Sequence, residues 1–265
     1  MSISYYYHQL RRDLTNFSFL RHARFEGYII TMPQSGTHWL KHMLAEAIAR
    51  EFHLPPPRYN HASDIIGGPK DPKVYPDIFS LAHSHTIPGP LIRSNILRSI
   101  LKLPRYVVLV RDIRASLASN YEKRKDSYDC CFSEYLRGDV AGKKYSNDIW
   151  SCIRFINSWG RTLEKYPDQV LLVKYEAILA DTLKQLVIIN DFLNLGLSKK
   201  SLVYGIEESS KEKLKSKEDP SPLRSKGSIR LNKVTYIDMI SEEDNKFFIK
   251  TCNDYLNYDF GYDYS

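Results

Sequence analysis

Three groups of residues in this 265-residue chain have side chains and spacings fit for chemistry. The first is Gln34-Ser35-Gly36-Thr37-His38, a small-residue turn between an apolar run and a helical one. Gly36 frees the backbone to expose successive N–H groups, and the helix N-terminus adds partial positive charge. Ser35 and Thr37 offer hydroxyl donors, so the turn suits an anion. The G-x-x-x-x-G-K-[ST] pattern occurs nowhere, and Gln34 stands where such loops carry a lysine. Alone, the turn fits an ordinary βα connection equally well. The second group is Arg111 at the end of another apolar run, with Ser119 eight residues on. An arginine there can aim its planar fork into a phosphate crevice, or pair on the surface with Asp112 or Glu122. The third is His83 and His85, two apart on a short strand and therefore on one face. A neutral imidazole near pKa 6.5 can take a proton from a hydroxyl. Zinc is the rival use of histidine, because His38 and His42 stand at i, i+4. H-E-x-x-H is absent, however, since Trp39 fills the Glu place, and no metal is expected.

The elements that must position these residues follow from periodicity. Gly27–Met32 and residues 104–112 read as fully buried strands, and residues 79–83 and 170–175 as further strands. Helical patterns cover 38–53, 115–124, 149–165, 181–194 and 241–256. A Gly/Pro-rich connection spans 55–78, and 126–148 is polar and irregular. Residues 207–233, rich in Ser, Lys and Pro, predict a mobile lid, and 1–26 a basic, aromatic leader. Strands alternating with helices predict one α/β domain over 1–265. Its central parallel sheet would be flanked by helices, with ligands at the carboxyl ends of the strands.

Composition narrows the class. Apolar residues make up 43% of the chain, enough for a core, and no stretch reaches the ~18–20 apolar residues of a membrane span. The first residues lack the apolar segment of a secretory signal, which predicts a cytoplasmic protein without membrane insertion. The four cysteines have no C-x-x-C spacing and read as reduced thiols. A net charge of +7 suits anionic partners of any kind, but no nucleic-acid-binding motif accompanies it, so none is expected.

Taken together, the motifs resemble the sulfotransferase family that uses 3′-phosphoadenosine 5′-phosphosulfate (PAPS). M-P-Q-S-G-T-H-W at 32–39 is similar to its Y-P-K-S-G-T-x-W, and R-D-I-R-A-S-L-A-S at 111–119 to its R-[ND]-P-x-[DE]-x-x-x-S. The segment 171–181 is similar to its strand followed by Y-E-D-L, and 223–233 resembles a degraded R-K-G-x-x-G-x-W loop. Four motifs in order span about 27–260. The resemblance implies a P-loop-NTPase-like fold, and it implies roles for named residues. Gln34, Ser35, Gly36, Thr37 and His38 would cradle the 5′-phosphosulfate, with Trp39 near the adenine and Tyr175 on the purine. Arg111 and Ser119 would bind the 3′-phosphate, helped by Arg224, Lys226 and Gly227, and Ser209 would contribute from its own segment. His85 falls on the histidine of the family's K-x-H-x-x-P and would be the base, with His83 on its lysine. The products would be a sulfated acceptor and 3′-phosphoadenosine 5′-phosphate (PAP). The overall resemblance suggests natural-product tailoring, with a hydroxyl or amine of a small acceptor such as a polar alkaloid receiving the group. A homodimer is left open. Gln34 departs from the family lysine and keeps a catalytically silent, nucleotide-binding relative as the alternative.

Overall fold

The computed structural model describes residues 2–15, 22–75, 77–78, 80–90, 92–221 and 235–265, with no account of the side chains of 13–15. The apolar run Gly27–Thr31 forms β1, buried along its whole length. It lies between β2 (Leu81–Ser84) and β3 (Arg105–Val110), and β4 (Val170–Lys174) follows β3. All pairings are parallel, in the order β2-β1-β3-β4. Parallel strands buried on both faces need helices on both faces, and the near-continuous apolar runs meet that need. Side chains alternate across the sheet. Tyr28, Ile30, Val108 and Val110 enter one core cluster, whereas Ile29, Val107, Leu109 and Val173 enter the other.

The second cluster is closed by α2 (Thr37–Glu51), α8 (Thr182–Leu193) and α9 (Lys199–Glu207). The first lies under α4 (Ile113–Tyr128), α6 (Ile149–Lys165) and α11 (Glu242–Tyr255). Side-chain caps begin several helices. The Asp112 carboxylate accepts from the Ala115 N–H, and Asp148 and Ser151 form a reciprocal box at the start of α6. Further helices among the described residues are α1 (Ile3–Thr15), α3 (Asn95–Ile100), α5 (Phe132–Arg137), α7 (Tyr175–Ala180) and α10 (Lys211–Ser216). No helix among the described residues is long and apolar enough to cross a membrane.

Several expectations need correction. The first residues are more than a leader: α1 packs Tyr5, 1% exposed, against Trp150 and Tyr255 at ring separations of 5.7 and 4.9 Å. The strand expected at 79–83 begins at Leu81, because the Glu26 and Gly27 N–H groups converge on the Ser80 carbonyl before the ladder starts. The tract 126–148 is not wholly irregular: Phe132, Tyr135 and Leu136 are buried at helical spacing in α5. The lid region contains the end of α9 and all of α10, which the Ser210 hydroxyl caps, while 222–234 lie outside the described residues.

One packing contact reaches from the core to the edge where chemistry is expected. Trp159 is fully buried against Tyr106, and its indole N–H donates to the Thr86 carbonyl at 3.0 Å, directly after His85. Trp159→Phe removes that donor and leaves a carbonyl unpaired. Chemical denaturation should register a loss of about 1–3 kcal/mol.

Candidate active site

The loop between β1 and α2 turns through two left-handed residues, Gln34 at φ 62° and Gly36 at φ 89°. Gly36 is required twice over. A Cβ there would sit 2.7 Å from the Tyr175 ring, and the φ itself disfavours any side chain. The first backbone bond of α2 runs from the Leu40 N–H to the Gly36 carbonyl, so the N–H groups of the turn before it precede the helical ladder. Ser35 does not join them at the surface. It is fully buried, and both its N–H and its hydroxyl donate to the Met32 carbonyl, at 3.2 and 2.5 Å. Its expected hydroxyl contact with an anion is therefore corrected: the side chain closes the turn from within.

Thr31, the last residue of β1, gathers the next group. Its hydroxyl lies 2.8 Å from the Thr37 hydroxyl, 3.1 Å from Nε2 of His83 and 3.1 Å from Nδ1 of His85. The Thr31 carbonyl accepts from Nδ1 of His85 at 2.7 Å. Since a carbonyl can only accept, Nδ1 carries the proton and Nε2 is left with its lone pair. His85 opens onto a cavity while protein walls surround it. That partial removal from water lowers its pKa below 6.5; the Thr31 carbonyl pulls it up and the charge of Lys41 pushes it down. His83 stands edge-on to His85 at 4.9 Å and is pushed well below 6.5, first by burial and then by His85 and Lys41.

Arg111 closes the far side of the loop. It donates to the Gln34 carbonyl at 2.9 Å and stacks over the Tyr175 ring at 4.7 Å, while its buried Nε has no protein partner. Tyr175 meets Trp39 edge-on at 6.2 Å. These residues line a cavity of about 740 Å³, together with Gln34, Gly36, Thr37, His38, Ser119 and Ser209. The Ser209 hydroxyl is 2.7 Å from Nδ1 of buried His42, which leaves that ring committed to the interior. His83 lies behind His85 and does not line the cavity. Arg224, Lys226 and Gly227 lie outside the described residues.

The cavity wall also holds residues that the motifs did not single out. Lys123, Arg124 and Lys211 join Arg111 on it, and no carboxylate lines it among the described residues. Lys123 lies one helical turn after Ser119, so periodicity alone could have found it. Asn120 and Asn147 line it too, with the Asn120 amide donating to the Asn147 carbonyl at 3.0 Å. Four cations, an orphaned guanidinium N–H and a turn of open N–H groups form a receptor for a multiply charged anion. Among the described residues, no group of three or more histidines, cysteines or carboxylates is placed to hold a metal ion.

The sequence model of the sulfotransferase domain matches residues 27–250. The chain belongs to the sulfotransferase family. None of the curated proteins matches it. The fold of this chain is shared with solved structures at low identity. A mouse sulfotransferase complexed with PAP aligns with a TM-score of 0.61 at 16% identity, over 92% of this chain and 90% of its own. Retinol dehydratase in complex with androsterone and inactive cofactor PAP aligns with 0.59 at 16%, over 95% and 88%. An Arabidopsis thaliana putative steroid sulphotransferase gives 0.55 at 16%, over 96% and 85%.

The close approach of Tyr175 to Gly36 makes the loop testable by itself. Gly36→Ala should cost about 1–3 kcal/mol in chemical denaturation, from backbone strain and the ring clash together. Adding Tyr175→Ala should return only the part due to the clash.

Proposed function

We propose that the protein transfers the sulfuryl group of PAPS to a hydroxyl or amine of a small acceptor, with His85 as general base. The observation that carries this reading is the tautomer of His85: the Thr31 carbonyl holds the Nδ1 proton, so Nε2 is free to accept one at the cavity wall. PAPS would supply an activated sulfur. A new S–O or S–N bond forms as the bridging S–O bond breaks, and the electron pair of that bond goes to the oxygen on the 5′-phosphate. The acceptor proton passes to Nε2 of His85. The N–H groups of Gly36, Thr37 and His38 would meet the 5′-phosphosulfate, and Gln34 would donate a neutral hydrogen bond beside it. The 3′-phosphate would meet Arg111, whose Nε has no protein partner, and Ser119, with Lys123 and Arg124 one turn beyond. Trp39, Tyr175 and Ser209 would flank the purine. The complexes of the mouse sulfotransferase and of retinol dehydratase with PAP support the choice of nucleotide, and the carboxylate-free wall supports an anion of this charge. The acceptor would be a natural product of small size.

Gln34 sustains a second reading, in which the protein binds the nucleotide and transfers nothing. A neutral amide where charge develops forgoes several kcal/mol of transition-state stabilisation. An acceptor panel with PAPS, read out as PAP release, separates the two readings. His85→Ala should cut turnover by about 10²–10⁴ and leave PAP affinity nearly intact. Turnover equal to wild type in His85→Ala would remove His85 from the mechanism.

Two further outcomes are expected. PAP at ~100 times its dissociation constant should stabilise the fold by ~2.7 kcal/mol, adenosine 5′-phosphate far less, and Arg111→Ala should lose most of that preference. Because the surroundings lower the pKa of His85, the base stays neutral as pH falls until its own pKa is passed. The acid limb of kcat/KM should therefore lie below pH 6.5, and activity should survive a strong chelator.

A further inference from the structure

Transfer as proposed above leaves negative charge on the bridging oxygen, beside a loop whose side chain at position 34 is neutral. The cation that faces this charge can be traced along one side of the sheet. Ile29 belongs to the core beneath α2 and pairs in register with His83. Thr31 and His85, two residues further along each chain, lie on the same side. On α2, Thr37 meets Thr31 through hydroxyls 2.8 Å apart, and Lys41 follows one turn later on the same helix face.

Lys41 is only 5% exposed, and burying an ammonium is unfavourable unless hydrogen bonds or opposite charges compensate it. Its Nζ donates to the Ser63 hydroxyl at 3.0 Å. The Ser63 N–H donates to Nδ1 of His61 at 3.2 Å, so the His61 proton is on Nε2 and is donated to Asp219 at 3.1 Å. The amine is thus fixed from the 55–78 connection and, through His61, from the chain beyond α10. Its charge reaches three imidazoles. Around His38, His83 and His85 the surrounding protein is the first cause opposing protonation and Lys41 adds to it, although His38 and His85 open onto the cavity. Lys123 also faces His38, and the two strand histidines face each other. These directions work against His38 and His83 as sources of the missing charge.

The geometry points to Lys41, one turn behind Thr37 on α2, as the fixed positive charge of the transfer site, in place of the charge that Gln34 lacks. It does not line the cavity, so it is a positioning residue whose field acts through the groups in front of it. Its positive field stabilises the negative charge that develops on the bridging oxygen and disfavours protonation of His85 before transfer. This rests on the sulfotransfer reading.

The test uses the full chain with Lys41→Met and Lys41→Gln, each with and without Gln34→Lys. Turnover with PAPS is measured, together with the PAP-induced rise in melting temperature and the histidine titration of the free protein by NMR. Lys41→Met should lose at least about tenfold in turnover while keeping the PAP-induced rise, and the His85 midpoint should move up relative to wild type. Gln34→Lys should restore most of the lost turnover. Lys41→Gln, which keeps a donor to Ser63, should behave as Lys41→Met does and serves where that variant folds poorly. Turnover within twofold of wild type, or an unmoved His85 titration, in either folded variant would make Lys41 a structural lysine and overturn the inference. If wild type binds PAP but transfers nothing, the sulfotransfer reading fails, and the titration still decides whether Lys41 governs the histidines.

Discussion

Everything at the site depends on Thr31. It ends β1, and its hydroxyl and carbonyl collect the Thr37 hydroxyl at the start of α2, the ring of His83 on β2 and the ring of His85 just past the end of β2. Thr31 is fully buried and pairs with Leu109 of β3, so its position is fixed by the central strands. Hanging the imidazoles there gives His85 a fixed tautomer without a carboxylate behind it. The absence of an acidic partner from those contacts matters in a cavity built for anions, where a second negative charge would compete with the ligand for every cation.

The cations themselves are prepared in different ways. Arg111 is held on the Tyr175 ring and by the Gln34 carbonyl, so most of its rotamer freedom is already lost before any ligand arrives. Tyr175 in turn can lie where it does only because Gly36 has no side chain. One glycine therefore serves both the turn that exposes the N–H groups and the placement of the guanidinium. Lys123 and Arg124 are on the more accessible wall, where water screens them, and their contribution is to attract more than to orient.

The strands were legible in the sequence because burial on both faces leaves long apolar runs, as in residues 104–112 against the observed Arg105–Val110. The order of the motifs led to Arg111, Ser119, Tyr175 and the loop, all of which the fold brings to one cavity. Ser35 misled because residue type tells nothing of which way a hydroxyl turns; the tight turn buries it on the Met32 carbonyl. The support of Lys41 by Ser63, His61 and Asp219 had no signature, since these residues meet only in the folded chain. The short helices α1 and α5 stayed hidden for a related reason. Their stability comes from Tyr5 on Trp150 and from Phe132 and Tyr135 in an aromatic cluster, not from propensity.

The cavity is built from two kinds of material. Its floor is the turn of Gly36 and Thr37, held from beneath by Thr31 and Ser35, and replacement there disturbs strand, turn and ring at once. Its rim includes Arg124, Ser146, Leu179 and Lys211, exposed side chains on helix faces and connections. Substitutions at such exposed positions usually change stability by less than about 0.5 kcal/mol. Natural variation can therefore exchange the rim almost without penalty while the floor stays put. A lineage carrying this architecture is free to wander in what it accepts, and constrained in how it reacts.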